Sequence, residues 1–203
     1  MTVKYPNGKT FETKKPIGTQ ADKKIVSAKL HKSAANRGMG LEYDLNLSNE
    51  YYLEKNLCLV TKRPTPINIV KVDYTKGARI TNAYFEKQST TDYNGVYKGR
   101  YLDFEAKSTR SKTSFPLANI SEHQIKHLSK VIKHGGIAFF IIEFALLNND
   151  TYLLDASYII DFINKEKRKS IPYEDVKKYG HQIKRGYNPR LDYLQVVQEV
   201  YFK

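Results

Sequence analysis

The stretch STTDYNGVYKGRYLDFEAK at residues 89–107 decides the fold of this chain. Two turn-forming dipeptides, Asn94-Gly95 and Lys98-Gly99, lie between segments rich in tyrosine and other β-forming side chains. Short β-forming segments joined by such dipeptides are typical of a β-hairpin. We therefore expect two antiparallel strands here, the second of them formed by RYLDFEAK.

The second strand of this hairpin has one apolar and one charged face, because successive side chains point to opposite sides. The apolar face carries Leu102, Phe104 and Ala106, and the charged face carries Asp103, Glu105 and Lys107. Folding the hairpin back brings Asp92 beside Glu105. Two carboxylates near a lysine suit a divalent cation such as Mg²⁺, with the ammonium group placed to stabilise charge on a phosphate. The alternative interpretation makes Asp92 a turn residue and Glu105 and Lys107 an exposed strand pair.

The rest of the chain predicts a single α/β domain in which helices and strands are mixed along the sequence. Helices are expected at 36–56 and 121–136, and further helices near 156–166 and 192–202. Strands are expected at 57–60, 137–144 and 151–155. Residues 61–85 contain two prolines and several β-branched side chains, and predict two extended segments that project from the domain.

The chain is strongly basic, with 34 Lys and Arg against 21 Asp and Glu and a formal net charge of +13. Residues 1–35 hold eight lysines against Glu12 and Asp22 and show no sustained period. This composition predicts a flexible basic arm ahead of a folded domain at 36–203. The excess charge favours a polyanionic partner, and nucleic acid is preferred over a membrane surface because no basic amphipathic helix stands out.

Three features indicate the compartment. The longest apolar run, 137–144, is interrupted by Glu143 and is far shorter than the ~20 residues that cross a bilayer. Residues 1–10 lack the apolar stretch of a secretory signal. Cys58 is the one cysteine and cannot form an internal disulfide. We therefore expect a soluble cytoplasmic protein that does not associate with a membrane.

Two polar side chains on the predicted helices face inward. The helix at 121–136 has an apolar stripe formed by Ile125, Leu128, Val131 and Ile132. Gln124 falls inside that stripe, either as a ligand of a metal or its water, or in a hydrogen bond to a backbone carbonyl. Glu42, on the helix at 36–56, either enters the same site as an accessory acid or pairs with Arg37 or a lysine.

Several longer strings, in order along the chain, resemble the RecU-type Holliday junction resolvases of the PD-(D/E)xK nuclease superfamily. They are YPNGKTF (5–11), NRGMGLE (36–42), KRPTPINIVKVDY (62–74), STTDYNGVYKGRYLDFEAK (89–107), KTSFPL (112–117) and GYNPRLDY (186–193). The superfamily pattern within them is an Asp followed by Glu-x-Lys on a hairpin, and then a helix with a glutamine. The resemblance covers nearly the whole chain, apart from residues 12–35.

This resemblance implies a fold and a set of site residues. The fold is a single restriction-endonuclease-like domain, in which helices flank a central mixed sheet and a β stalk is inserted. The stalk corresponds to residues 61–85 here. The implied ligands of Mg²⁺, or of Mn²⁺ in its place, are Thr90, Asp92, Glu105 and Gln124. Lys107 is the implied transition-state stabiliser, and the basic residues expected to bind DNA are Lys62, Arg63, Lys71, Lys76 and Arg79.

The implied activity is paired symmetric cleavage of four-way DNA junctions in recombination and repair. A four-way junction has approximate two-fold symmetry, so a homodimer would present two copies of the site. Location at the nucleoid, and partnership with a strand-exchange recombinase or branch-migration machinery, are part of the same expectation. Two alternatives are a non-catalytic DNA-binding protein that bridges strands or regulates a recombinase, and a nuclease that cuts linear duplex.

Overall fold

The computed structural model describes residues 39–86 and 90–202. The basic arm predicted at 1–35 lies outside the described residues. The helices are α1 (Met39–Glu54), α2 (Glu122–Lys133), α3 (Ala156–Lys165), α4 (Tyr173–Tyr179) and α5 (Tyr193–Tyr201). The strands are β1 (Leu59–Lys62), β2 (Ile67–Asp73), β3 (Arg79–Phe85), β4 (Tyr93–Tyr97), β5 (Arg100–Thr109), β6 (Ser114–Pro116), β7 (Ile137–Phe144), β8 (Asp150–Asp155), β9 (Ser170–Pro172) and β10 (His181–Gln182).

The centre of the domain is a six-stranded sheet with the strand order β1-β4-β5-β7-β8-β10. Strands β5 and β7 run parallel, whereas the other neighbouring pairs are antiparallel. The sheet is therefore mixed, as predicted. The connection between the two parallel strands contains α2, and such a crossover places its helix on one face of the sheet. No helix among the described residues is long and apolar enough to cross a membrane.

Helices cover both faces of the sheet, and each face has its own apolar core. On one face, α1 and α5 pack against Phe104 and Phe139, whose stacked rings lie 4.7 Å apart, with Tyr193 of α5 against them. On the other face, α2 and α3 cover the remaining side chains of β7, including Phe140. All eight residues of β7 are buried, which confirms the strand predicted at 137–144. The result is a three-layer α/β domain.

The hairpin predicted within 89–107 is formed by β4 and β5, but one of the two dipeptides was assigned wrongly. Lys98 and Gly99 have φ values of 46° and 77°, the two positive values that a two-residue type I′ turn requires. Gly95 lies inside β4 and pairs with both neighbouring strands. A Cβ atom at Gly95 would lie 2.1 Å from the backbone oxygen of Leu59. Glycine is therefore needed at this position because β1 passes so close to β4.

Two further predictions need correction. The first strand, expected at 57–60, is Leu59–Lys62, because α1 ends in a turn in which Asn56 has a φ of 53°. Ile132, expected on the inward stripe of α2, is 36% exposed. It lies about 100° around the helix from Val131, outside the buried face.

The extended segments predicted within the stalk are β2 and β3. They pair antiparallel in a two-stranded sheet of their own, with Ile67 opposite Phe85. Every residue of β3 is exposed, including Tyr84 and Phe85. The stalk therefore forms as a hairpin whose second strand contributes nothing to either core.

Candidate active site

Asp92 and Glu105 meet at the open end of the β4–β5 hairpin. Tyr93 pairs with Phe104, so the residues one step further out face each other. The backbone N–H of Asp92 donates a hydrogen bond to Oε2 of Glu105 at 3.0 Å. The structure thus brings together the two acids that the sequence placed on this hairpin.

Glu105 is fully buried beside a lysine. Burial raises the pKa of its carboxyl group, Lys107 lowers it, and the neighbouring Asp92 raises it again, to about 7. Nζ of Lys107 lies 2.7 Å from Oε1 of Glu105, and the lysine side chain is 23% exposed. The site therefore places one partly accessible ammonium group against a carboxylate shielded from water.

Gln124 is 4% exposed and lies in the first turn of α2. Its Oε1 accepts a hydrogen bond from the backbone N–H of Ser121 at 2.9 Å, so this backbone partner is an N–H group and not the carbonyl that one interpretation gave it. One helical turn later, Nε2 of His127 lies 2.9 Å from Oδ2 of Asp103. Because α2 returns antiparallel to β5, Gln124 is displaced from His127 toward the Glu105 end of the strand. An amide oxygen has two lone pairs, so Oε1 retains one for a ligand.

The segment 90–92 does not follow the alternation of a strand. Strand β4 begins at Tyr93, so Thr90 and Asp92 both precede it. Thr90 is half-buried, whereas Thr91 is fully buried and its hydroxyl hydrogen-bonds Oδ1 of Asp103. Thr91 is thus directed to Asp103, while the amide of Asp92 binds Glu105.

Asp103 is a second buried carboxylate beside the site, to which sequence reasoning assigned no role. Nη2 of Arg63 and the hydroxyl of Tyr101 each lie 2.8 Å from its Oδ2. Burial alone would raise the pKa of Asp103, but hydrogen bonds from Arg63, Thr91, His127 and Tyr101 together lower it. Its place on the charged face of β5, two residues before Glu105, was the signal available in the sequence.

The residues expected to bind DNA fall into two groups. Three of them are exposed on the stalk, namely Lys71, Lys76 and Arg79. The other two lie at its base and bind acids of the domain. Nζ of Lys62 is 2.6 Å from Oε2 of Glu42, so Glu42 has the lysine partner that was one of its two interpretations. Arg63 binds Asp103.

The sequence of this chain matches the model of a known protein family. The model for RecU, "Recombination protein U", matches residues 36–199 of the chain. The chain belongs to the RecU family. "Holliday junction resolvase RecU" of Geobacillus kaustophilus (strain HTA426) is 51% identical over 207 residues, covering 100% of this chain and 99% of the relative. The protein of the same name from Bacillus cereus (strain AH820) is 50% identical over 208 residues, covering 100% of both chains.

Among solved structures, the chain is similar to Archaeoglobus fulgidus Hjc, described as a Holliday junction resolvase from an archaeal hyperthermophile. The TM-score is 0.43 and the sequence identity 14%, over 71% of this chain and 95% of that one. Membership of the RecU family confirms the resemblance drawn from the strings between residues 36 and 193.

The donor atoms of the four expected ligands fit a hard divalent cation. Thr90, Asp92, Glu105 and Gln124 offer oxygen atoms, which Mg²⁺ and Mn²⁺ prefer. Two neighbouring carboxyl groups, one of them buried with a raised pKa, gain from a cation that neutralises both. Within 39–86 and 90–202, no three His, Cys, Asp or Glu side chains are grouped to hold a metal. Of the four expected ligands, only Asp92 and Glu105 are of these types, whereas Thr90 and Gln124 are neutral.

Sequence reasoning also missed an ion pair between the partly exposed Arg185 and the buried Glu143, on the opposite face of the RecU sheet. Nη2 of Arg185 lies 2.7 Å from Oε1 of Glu143, and its Nη1 lies 2.7 Å from Oδ2 of Asp44. Ser108 donates to Oε2 of Glu143 at 2.8 Å. Burial raises the pKa of Glu143, while Ser108 and Arg185 act against that shift. The charged residue within the apolar run of β7 was its signal in the sequence.

Proposed function

We propose that this RecU family protein is a metal-dependent endonuclease that cuts four-way DNA junctions by paired symmetric incisions in homologous recombination and repair. The observation that carries the proposal is the meeting of Asp92, Glu105 and Lys107 at one end of the β4–β5 hairpin. The relatives that match over the full chain are named Holliday junction resolvases, which supports the four-way junction as substrate.

The roles of the site residues follow from their chemistry. Asp92 and Glu105, with Thr90 and Gln124, would hold Mg²⁺ or Mn²⁺, and the bound ion supplies Lewis-acid activation of the phosphodiester and of a water. Lys107 stabilises the negative charge that develops on the phosphate as the bond is hydrolysed. The amide of Asp92 holds one oxygen of Glu105 in place, which keeps the second carboxylate oriented before DNA arrives.

DNA affinity arises mostly from phosphate contacts, in keeping with the net charge of +13. Selectivity for a junction comes from its shape rather than its sequence. The proposal includes a homodimer, because two sites related by two-fold symmetry match the two incisions. It also includes work at the nucleoid beside a strand-exchange recombinase or branch-migration machinery.

The proposal is tested with purified protein and labelled four-way and linear DNA, with and without Mg²⁺. We expect paired cuts in the junction that require the metal. Asp92→Asn and Glu105→Gln should abolish cutting and leave junction affinity near the wild-type value, because binding depends on basic residues elsewhere. Asp161→Asn, which changes an exposed acid of α3, is the matched control and should cut normally.

Two results would contradict the proposal. Junction binding without cutting at any Mg²⁺ or Mn²⁺ concentration would favour a non-catalytic DNA-binding protein. Equal cutting of linear duplex and junction would favour a nuclease without junction selectivity.

A further inference from the structure

Arg63 joins the base of the stalk to the segment that carries Asp92. Its backbone N–H donates to the backbone oxygen of Asp92 at 2.7 Å. Its guanidinium group binds the hydroxyl of Thr91 at 2.8 Å and Oδ2 of Asp103 at 2.8 Å. One arginine therefore contacts both residues that precede β4, and a buried acid of β5.

Asp103, the acid that binds Arg63, is held in place by several other groups. Asp103 is 0% exposed. In addition to Arg63, its carboxylate binds three side chains, those of Thr91, Tyr101 and His127. These partners come from the 90–92 segment, from β5 and from α2. Asp103 is thus a fixed point of the sheet, and a side chain bound to it acquires a fixed position.

The chain on the other side of Arg63 supplies few backbone hydrogen bonds of its own. Residues 64–66 read Pro-Thr-Pro, and proline has no N–H to donate. Strand β2 begins after them, at Ile67, and pairs with β3 alone. Arg63 is therefore the last residue before the stalk hairpin that is bound to the central domain through both backbone and side chain.

We propose that Arg63 is a positioning residue that fixes the base of the stalk to the 90–92 segment and holds Asp92 opposite Glu105. This inference rests on the proposed function of the Asp92 and Glu105 site. It gives Arg63 a different role from the phosphate contact expected for it from the sequence. Its guanidinium fork suits this task because it can bind a carboxylate and a hydroxyl at once.

The test compares Arg63→Gln, Asp103→Asn, the double variant and Arg63→Lys. Mn²⁺ binding to the DNA-free protein, followed by calorimetry or electron paramagnetic resonance, is the first measurement. Junction affinity without a catalytic metal and the single-turnover cutting rate on saturated junction are the second and third. Arg168→Gln, which removes an exposed arginine of the loop after α3, is the matched control for the lost charge.

We expect Arg63→Gln and Asp103→Asn each to weaken Mn²⁺ binding by about tenfold or more, as for other groups that orient metal ligands. The cutting rate should fall in parallel, while junction affinity stays close to that of Arg168→Gln. The double variant should be no worse than either single one, since both changes break the same contact. Arg63→Lys should recover part of the Mn²⁺ affinity. If Asp103→Asn does not fold, Thr91→Val tests the same contact through its second partner.

Two results would overturn the inference. One is unchanged Mn²⁺ binding in Arg63→Gln, with weaker junction affinity and a salt slope reduced by about 1, the signature of a phosphate contact. The other is fully additive loss in the double variant. Failure of the proposed function is seen separately, as a wild-type protein that binds Mn²⁺ and does not cut the junction.

Discussion

The amide of Asp92 lies 3.0 Å from the carboxylate of Glu105, and a two-residue turn sets this distance. The turn at Lys98 and Gly99 pairs Tyr97 with Arg100, and each step outward keeps that register as far as Tyr93 and Phe104. A slip by one residue would move every side chain of one strand to the other face. The geometry of the site therefore depends on a turn at the far end of the hairpin.

Lys107→Ala should slow junction cutting by about 10²–10³ at saturating DNA and metal. The reason is that, in the proposed function, its ammonium group, 2.7 Å from Glu105, stabilises the reacting phosphate. Junction affinity should stay near the wild-type value. Single-turnover rates and a binding titration measure the two effects separately.

Lys165→Ala is the control for Lys107, because Lys165 is an exposed lysine that pairs with Asp161 on the same helix. It should cut at the wild-type rate. A Lys107→Ala cutting rate within about threefold of the control would show that Lys107 does not stabilise the transition state.

Gln124→Ala should give a milder cutting defect that additional Mg²⁺ or Mn²⁺ partly rescues, as expected for a neutral ligand. The side chain also binds the backbone N–H of Ser121, so the change should lower the free energy of unfolding by about 0.5–2 kcal/mol. A metal titration of the cutting rate and a urea unfolding curve separate the two roles. If stability falls and the metal concentration for half-maximal cutting is unchanged, the role of Gln124 is limited to capping α2.

The double change Lys76→Ala, Arg79→Ala should weaken junction binding more than linear-duplex binding. Both residues are exposed on the stalk hairpin. In the proposed function, this hairpin enters the open centre of a junction, where several phosphate backbones converge. Losing two phosphate contacts should reduce the salt slope of junction binding by about 2. Affinities for both DNAs across a salt series measure this.

The matched control for the stalk is Lys167→Ala, Arg168→Ala, which removes the same charge from the loop after α3. It should affect both DNAs alike and only slightly. If the stalk variant lost equal affinity for both DNAs, the stalk would be a general basic patch. No loss for either DNA would make it a scaffold element.

Arg185→Ala should lower the free energy of unfolding by about 1–3 kcal/mol at neutral pH, because the buried Glu143 would lose the hydrogen bond and charge of its partner. The loss should shrink at low pH. Burial already raises the folded-state pKa of Glu143, so its contribution to stability is full below its unfolded pKa of about 4.3 and declines as the pH rises through the folded value. Removing Arg185 raises the folded-state pKa of Glu143 further, so stability is lost over a wider range of pH.

Urea unfolding of the wild type and Arg185→Ala at pH 5 and pH 8 measures this difference. Lys165→Ala breaks an exposed pair instead and should cost at most about 0.5 kcal/mol at either pH. A deficit for Arg185→Ala that is the same at both pH values would show that Glu143 does not carry it.

Local patterns in the sequence predicted much of the fold. The alternation in RYLDFEAK placed Glu105 and Lys107 on one face of β5, and the spacing in α2 directed Gln124 and Leu128 inward. These predictions hold because a strand and a helix each impose one period on their side chains. The same patterns did not show that the charged face of β5 would be covered, which left Asp103 without a role.

The remaining features depend on residues far apart in the chain. Arg63 and Asp103 are 40 residues apart, and Arg185 and Glu143 are 42 apart, so no local period relates them. The turn predicted at Asn94-Gly95 was wrong for the same reason. An Asn-Gly dipeptide predicts a turn when only its neighbours are considered, whereas the need for glycine arises from Leu59 on another strand.

The packing of α5 against the same face as α1 affects the order in which the chain becomes complete during synthesis. Asp92 and Glu105 lie only 13 positions apart in the sequence, so the hairpin that unites them can close soon after it has left the ribosome. The apolar face of that hairpin is fully covered only after α5 has been synthesised, because Tyr193 of α5 packs on Phe104. A nascent chain halted before Tyr193 would already contain both acids, while Phe104 and Phe139 would be covered by α1 but not by α5.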